Sequence, residues 1–134
     1  MSSNQRGFTL LEVLVAASIV VVALSAVAAG FQYALGVVEA SRQHTTALFL
    51  AAQRLEQVKA WALVDFAGVT VANFPAENPV IGYPHYRRAV DITPDPAGVA
   101  DAVRVQVTVA YRPVAAVSPG PRMVMLVTVL SRRR

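Results

Sequence analysis

The side chains that could bind a metal ion are few and widely spaced. His44 and His85 have no companion ligands at the spacing of a metal site, so surface or packing roles are predicted for both. Asp91, Asp95 and Asp101 form an acidic stretch, but calcium takes about six to eight oxygen ligands and this spacing fits no known calcium loop. We therefore predict turn formation for the aspartates and expect neither a metal ion nor a cofactor.

Nucleophilic chemistry is not indicated either. The chain has no cysteine, which excludes disulfides, thiolate metal sites and cysteine nucleophiles. Serine, histidine and aspartate all occur, but no nucleophile motif surrounds any of them. The prediction is therefore that the protein is not an enzyme.

Glu12 is the only charged side chain in a long apolar run near the N-terminus. From Val13 to Gly30 the most polar residues are two serines. About 20 apolar residues span the hydrocarbon core of a bilayer, so this run is long enough to cross a membrane. Because a carboxylate at bilayer depth costs free energy, either the run is not a membrane segment or the acid has a function.

Two general interpretations of the run are open. It could be a secretory signal peptide over residues 1–28, in which Ala26-Val27-Ala28 is a small-x-small cleavage site, although the acid hinders insertion. It could instead be a plain signal anchor, in which the Glu12 side chain reaches the lipid headgroups.

Helical periodicity extends well beyond the apolar run. Apolar residues recur with a period of about 3.6, and no proline occurs before Pro75, so a helix is predicted from about Phe8 to about Leu63. Its first half is apolar all round. Its second half has one apolar stripe, formed by Leu48, Ala52, Leu55 and Val58.

Three strand-like runs follow the turn residues that fill residues 65–85. Residues 86–93 place Tyr86, Val90 and Ile92 on one side, and residues 102–111 alternate strictly with valines on one face. Residues 122–130 are apolar on both faces, as in a covered strand. The predicted fold class is α+β, with a long N-terminal helix packed on a small three- to four-stranded antiparallel sheet. The valine face of residues 102–111 is expected to meet the Leu48/Leu55 stripe.

The segment RGFTLLEVLVAASI carries a more specific motif. A basic residue and a glycine precede Phe-Thr-Leu, an apolar residue and an acid, all in fixed register against the hydrophobic run. This segment resembles the N-terminal motif of type IV prepilins and of the pseudopilins of type II secretion. The matching residues are Arg6, Gly7, Phe8, Thr9, Leu10, Leu11 and Glu12.

The resemblance implies a processing and assembly pathway. Residues 1–7 would be a leader that carries the charge of Arg6, and a prepilin peptidase would cut between Gly7 and Phe8 and methylate the new amine. Residues 8–38 would form a transmembrane and assembly helix, and residues 39–134 a globular domain outside the cytoplasm. Glu12 would pair with the N-terminal amine of a neighbouring subunit.

The resemblance also implies partners and a location. The partners are other pilins or pseudopilins, the prepilin peptidase/methyltransferase and the inner-membrane assembly platform, and the protein is expected in the inner membrane and then in the filament. Many members of this family have a proline about two dozen residues into the mature chain and a C-terminal cysteine pair, which are both missing. Gly30 and Gly36 lie in that region and soften a helix. The chain is therefore most similar to a minor pilin or a minor pseudopilin, of the V type or the I type respectively.

The distribution of arginines raises an alternative function, a single-pass binding protein whose ectodomain contacts DNA or an exported protein. The candidate basic surface consists of Arg87, Arg88, Arg104, Arg122, Arg132, Arg133 and Arg134. Without interleaved aromatic residues, a solvated face or an inter-subunit charge contact is the favoured interpretation over nucleic acid. Trp61 is predicted to lie in the core beneath the loop that follows the helix, or to form a lateral filament contact.

Overall fold

The computed structural model of the protein describes residues 8–113 and 120–132. Its elements are one long helix, α1 (Leu10–Val64), and three strands, β1 (Tyr86–Pro94), β2 (Ala102–Tyr111) and β3 (Arg122–Ser131). The chain divides into two units at the bond between Val38 and Glu39. The predicted α+β fold with a long helix and an antiparallel sheet is confirmed.

The end of α1 is set by a turn that begins at Asp65. The Asp65 N–H still donates to the carbonyl of Trp61 (2.8 Å), while its carboxylate accepts from the N–H of Gly68 (3.0 Å). A Cβ atom at position 68 would collide with that carboxylate and lie 2.9 Å from the Trp61 indole nitrogen. Only glycine therefore fits where the chain turns back against the helix.

The buried face of α1 in the second unit differs from the predicted stripe. Leu55 and Val58 are buried as expected, but Leu48 is 38% exposed and Ala52 is exposed. The face that is buried is formed by Gln43, Ala47, Leu50, Ala51, Leu55 and Val58. Ala47 and Ala51 are fully buried, in the same cluster as the valines of β2.

The sheet has the strand order β1-β2-β3, and both pairs of strands are antiparallel. The register aligns Tyr86 with Tyr111 and Tyr111 with Arg122. Val105, Val107 and Val109 of β2 are fully buried, which confirms that the valine face of this strand belongs to the core. Their branched side chains suit a pleated surface that is packed on one side.

β3 is an edge strand, and the prediction of a strand covered on both faces is wrong. Its inner face carries Val124, but its outer face exposes Met123, Met125, Val127 and Val129. The apolar pattern on both faces was a poor guide because apolar side chains also occur on exposed sheet surfaces.

The open edge of β3 can be assigned from the hydrogen bonds. Arg88 forms both of its backbone hydrogen bonds with Glu77 (2.9 and 2.8 Å), on the side away from β2. Its registered partner in β2, Val109, is therefore not hydrogen-bonded to Arg88 and directs its backbone groups to Val124 of β3. By alternation, the odd-numbered residues of β3 direct their N–H and C=O groups to the open edge. The bond from the Arg132 N–H to the Asp101 carbonyl (2.9 Å) agrees with this assignment.

Arg88 is buried, which removes it from the predicted basic surface. Its side chain is 6% exposed and lies on the inner face of β1, between Tyr86 and Val90 in the alternation. Its guanidinium donates to the carboxylate of Glu77 (2.7 Å) and to the carbonyl of Leu50 in α1 (2.9 Å). The arginine therefore links the helix, the sheet and the loop between them.

Arg54 of α1 completes this network. Its guanidinium forms an ion pair with the second oxygen of Glu77 (2.9 Å), donates to the carbonyl of Pro75 (3.1 Å), and lies 5.7 Å from the centre of the Phe74 ring. Burial lowers the pKa of Arg54, and the Glu77 carboxylate acts in the opposite direction. One carboxylate is thus shared by two arginines, and the Nε atoms of both arginines have no partner within the described residues.

Trp61 contacts the loop that follows α1, but the prediction that it lies in the core is wrong. Its ring meets that of Phe74 edge-on, with a centroid distance of 6.0 Å, and its nitrogen borders Gly68. The ring is only about half buried.

Candidate functional site

The N-terminus of α1 is capped by Thr9. The Thr9 carbonyl accepts from the N–H groups of Glu12 (3.0 Å) and Val13 (3.2 Å), and its hydroxyl also accepts from the Glu12 N–H (3.3 Å). Thr9 is therefore the N-cap residue, and it satisfies backbone donors that have no partner in the helix itself. In this way the helix begins at a fixed residue.

Glu12 is the third residue of the helix and lies in its first turn. An acid at this position is stabilised by the positive end of the helix dipole, and Thr-x-x-Glu is the sequence of a capping box. Only the Thr9 half of such a box is formed among the described residues, so the local role of the Glu12 carboxylate is its interaction with the helix dipole. The sequence analysis missed this role, although the spacing of Thr9 and Glu12 would have indicated it.

The segment that follows Glu12 exposes apolar side chains on every face. All residues from Val13 to Gly30 are exposed, and the most apolar 18-residue window of α1 has none of its residues buried. By length and composition this helix can cross a membrane. A helix that is apolar all round needs either lipid or neighbouring helices around it.

The two hydroxyl groups of this segment are satisfied within the helix. Ser18 donates to the carbonyl of Leu14 and Ser25 to that of Val21, each at 2.8 Å. Both bonds follow the i to i−4 pattern that lets serine lie in an apolar environment. The Glu12 carboxylate is then the only side chain of residues 10–31 whose placement in lipid carries a charge cost.

Gly30 and Gly36 do not interrupt the helix. α1 is helical from Leu10 to Val64, and a Cβ at position 30 would meet no atom within 4 Å. Neither a close contact nor a break therefore explains the glycine at position 30.

The predicted processing residues are only partly within the described structure. Phe8 is highly exposed and precedes the helix. Arg6 and Gly7 lie outside the described residues, as does the leader 1–7 as a whole. The structure therefore brings Thr9 and Glu12 together at the helix start and leaves the cleavage site as a prediction.

The remaining candidate residues lie apart from the N-terminus. His44 and His85 are exposed, and the His44 Nδ1 atom lies 3.3 Å from the Tyr111 hydroxyl. Asp95 and Asp101 adopt left-handed backbone conformations (φ 45° and 59°) in the turn between β1 and β2, as predicted for turn residues. Asp91 instead lies within β1, opposite Gln106 of β2, so the turn prediction is wrong for this residue. Within residues 8–113 and 120–132, no three acidic or histidine side chains are grouped as a metal site.

The predicted basic surface is dispersed. Arg87 and Arg104 lie on the outer face of the sheet but at opposite ends of it, since Arg87 is registered with Ala110 of β2 and Arg104 with Thr93 of β1. Arg88 is buried, and Arg133 and Arg134 lie outside the described residues. Hence these arginines do not form one continuous patch along the sheet.

Comparison with known proteins supports the interpretation of the N-terminal segment. A family model described as the prokaryotic N-terminal methylation motif matches residues 2–28. No curated protein matches the chain, and no solved structure matches it. The predicted prepilin-like methylation motif is therefore confirmed, and it is consistent with a type IV pilin-like protein.

Proposed function

We propose that this chain, which carries a type IV prepilin-like methylation motif, is a structural subunit of a type IV pilus or a type II secretion pseudopilus. The observation that carries the proposal is the match to the motif over residues 2–28, which contains Glu12 in the first turn of a lipid-compatible helix. Such a motif suggests a structural subunit and not an enzyme. The apolar helix and the motif together fit a single-pass membrane-anchored protein.

Processing is proposed to occur between Gly7 and Phe8. Cleavage would create a cationic amine at Phe8, which is exposed and lies directly before the N-cap residue. Other pilins and a prepilin peptidase are the general partners that the motif implies. We further propose a location in the inner membrane, with residues 39–134 outside the cytoplasm and residues 8–38 as the assembly helix.

Glu12 is proposed to align neighbouring subunits. Its carboxylate is exposed on the helix surface, and within the described residues it makes no side-chain hydrogen bond or ion pair. A lone acid at the bilayer centre costs roughly 2.5–3.5 kcal/mol, so a counter-charge is favoured wherever one is available. The Phe8 amine of an adjacent subunit would supply that charge and set the axial register of the two helices.

A minor subunit is the more specific proposal. The chain lacks the helix proline and the cysteine pair of many pilins. Its globular part adds only three strands, within the described residues, to the helix. Assembly through the N-terminal helix requires no further element, so a small domain suits an initiating, tip or accessory position.

The processing proposal predicts a defined mature chain. Intact-mass measurement of the protein from a host that contains a prepilin peptidase should show the loss of MSSNQRG and the gain of one methyl group on Phe8. Gly7→Phe should leave the leader attached, because a bulky side chain occupies the space in which the peptidase binds the backbone. Gly36→Phe adds the same side chain away from the cleavage site and should be processed normally.

A different mature terminus would change the interpretation. A chain that begins at Ala29 would establish a secretory signal peptide and would remove the assembly helix from the mature protein. An uncut chain in the same host would indicate a plain membrane anchor.

Removal of the apolar helix should release a soluble domain. Residues 36–134 retain the buried face of α1 and the sheet that covers it, so we expect a soluble and mainly monomeric fragment. Size-exclusion chromatography with light scattering tests this expectation. Filaments formed by the fragment would show that the N-terminal helix is not the assembly element.

A further inference from the structure

One end of the globular unit lies against the first turns of helix α1 in that unit. The Tyr86 hydroxyl donates to the carbonyl of Gln43 (3.2 Å), and the Tyr111 hydroxyl lies 3.3 Å from His44. Tyr86 and Tyr111 are registered partners and stack with a ring distance of 5.5 Å. The start of β1 and the end of β2 are therefore fixed beside residues 43–44. Burial raises the pKa of Tyr86, so its hydroxyl remains a donor.

Basic side chains surround this end, which we call the basic end. It contains two shallow clefts of about 290 and 240 Å³, and both are lined by His85 and Arg112. Arg42 lines the first cleft and Arg87 the second. All three arginines are exposed.

Among the described residues, one carboxylate, that of Glu39, lines the larger cleft and none lines the smaller one, and Glu39 already has partners. It accepts a hydrogen bond from Gln43 (3.0 Å) and lies 4.0 Å from the Arg42 guanidinium. Three arginines against one partnered acid leave the basic end positively charged. Its electrostatic complement is an anionic surface, to which such clusters are attracted over about one Debye length, roughly 8–10 Å.

An exposed apolar side chain stands beside these clefts. Ile81 is 91% exposed in the turn from Val80 to Tyr83, which is closed by a hydrogen bond from the Tyr83 N–H to the Val80 carbonyl (2.8 Å). Gly82 provides the positive φ of 81° that the turn requires. The Tyr83 ring meets Tyr86 edge-on at 6.0 Å, which connects the turn to the stacked tyrosines. The turn thus holds an apolar tip next to the basic clefts.

Only a short stretch of chain separates the apolar segment from Arg42 of the basic end. The charge-free segment that follows Glu12 ends at Val38, and Arg42 follows four residues later. Four residues span at most about 14 Å even when fully extended. The headgroup layer on each side of a bilayer is about 5–8 Å thick. Arg42 is therefore tethered within about 14 Å of chain from the end of that segment.

We propose that the basic end binds anionic phospholipids of the membrane that holds the N-terminal helix. Arg42, Arg87 and Arg112 contact the headgroup phosphates, and Ile81 inserts among the headgroups. The combination of basic residues and an exposed apolar tip is typical of surfaces that bind an anionic bilayer. The proposal rests on membrane anchoring and is independent of whether the subunit forms a filament.

The test uses the full-length protein in nanodiscs, either of phosphatidylcholine alone or of an equal mixture with phosphatidylglycerol. Native mass spectrometry counts the lipids that the released protein retains, and hydrogen exchange reports on residues 80–87. We expect retained phosphatidylglycerol in preference to phosphatidylcholine, and slower exchange in the mixed discs. Added salt should weaken both effects.

Three variants locate the contact. Arg42→Ala combined with Arg112→Ala should weaken phosphatidylglycerol binding by about 25-fold, or roughly fivefold for each arginine. Ile81→Ser should weaken binding without changing its salt dependence. Arg104→Ala removes one positive charge from the opposite end of the sheet and should bind as the wild type does.

Three outcomes would overturn the proposal. Equal retention of both lipids would exclude recognition of the anionic headgroup, and an equal loss in Arg104→Ala would indicate a general effect of net charge. Binding of a DNA duplex that requires Arg42 and Arg112, without any preference for phosphatidylglycerol, would assign the surface to nucleic acid. If the chain binds lipid but is not incorporated into filaments, this proposal stands and only the proposed filament role is contradicted.

Discussion

Glu12→Gln is expected to reduce incorporation into filaments by at least tenfold while the protein still inserts into the membrane. The amide keeps the shape of the side chain and costs less to bury than a carboxylate, so insertion is preserved or improved. Glutamine also suits the third position of a capping box, so the start of α1 is retained. The variant instead leaves the proposed partner, the amine of a neighbouring Phe8, without a counter-charge. An unpaired charge at that depth costs several kcal/mol, which corresponds to more than a tenfold loss.

The measurement compares protein in the membrane with protein in sheared filaments, by quantitative immunoblot in the native host. Thr9→Ala is the matched control, since it removes the capping hydroxyl 3.3 Å from the Glu12 N–H but keeps the acid. It should cost about 1 kcal/mol of local helix stability and leave incorporation nearly unchanged. Equal incorporation of Glu12→Gln and wild type would remove the electrostatic role. A defect in Thr9→Ala as large as that in Glu12→Gln would assign the effect to the helix cap.

Glu77→Gln is expected to lower the free energy of unfolding of the globular unit by about 3 kcal/mol. The carboxylate forms ion pairs with two arginines at once, at 2.7 Å from Arg88 and 2.9 Å from Arg54. Arg88 is almost fully buried, and loss of one partner of a buried ion pair typically costs about 3–5 kcal/mol. Partial exposure of Glu77 places the expected value at the lower end of that range.

Unfolding can be followed in denaturant through Trp61, which is the only tryptophan and packs on Phe74 beside this network. The matched control is Glu56→Gln, the same substitution in an exposed helix pair with Lys59. Such surface pairs contribute only about 0–1 kcal/mol, so this variant should unfold close to wild type. A loss in Glu77→Gln no greater than in Glu56→Gln would show that the network is not important for stability.

The elements of the fold could be predicted because their signals are local. A proline-free periodic stretch gives α1, and the strict alternation of valines gives β2. The Arg88–Glu77–Arg54 network could not be predicted in this way, since its members come from a strand, a loop and a helix. The alternation of β1 does place Arg88 on the same face as Tyr86 and Val90, and Arg87 on the other face, but it gives no sign of the partners that Arg88 meets. The predicted buried face of α1 was also partly wrong, since Leu48 and Ala52 are exposed. Which helix face is buried depends on packing against the sheet, which is distant in the sequence.

The candidate assembly site shows a different limit. The register of Glu12 with Phe8 and the apolar run indicates the prepilin-like motif, and the motif match over residues 2–28 supports that motif. The role of Glu12 in assembly stays a prediction. The Thr-x-x-Glu spacing of a capping box occurs in the same residues, but only the prepilin-like motif was interpreted. One acid can satisfy both patterns, so recognition of one pattern does not exclude the other. The proposed contact of Glu12 with a neighbouring subunit involves a second chain, so no pattern in this sequence predicts its geometry.

The open edge of β3 bears on how the protein behaves when many copies are close together. Residues 123–130, MVMLVTVL, contain no proline, glycine or charge, which is the composition of segments that stack into intermolecular sheets. Arg122 and Arg132 flank this segment and are both exposed. Charges beside an apolar edge act as gatekeepers because two edges that approach in register bring like charges together. Colloidal stability of the isolated domain therefore depends on these two cations, and storage at low ionic strength favours the dispersed state.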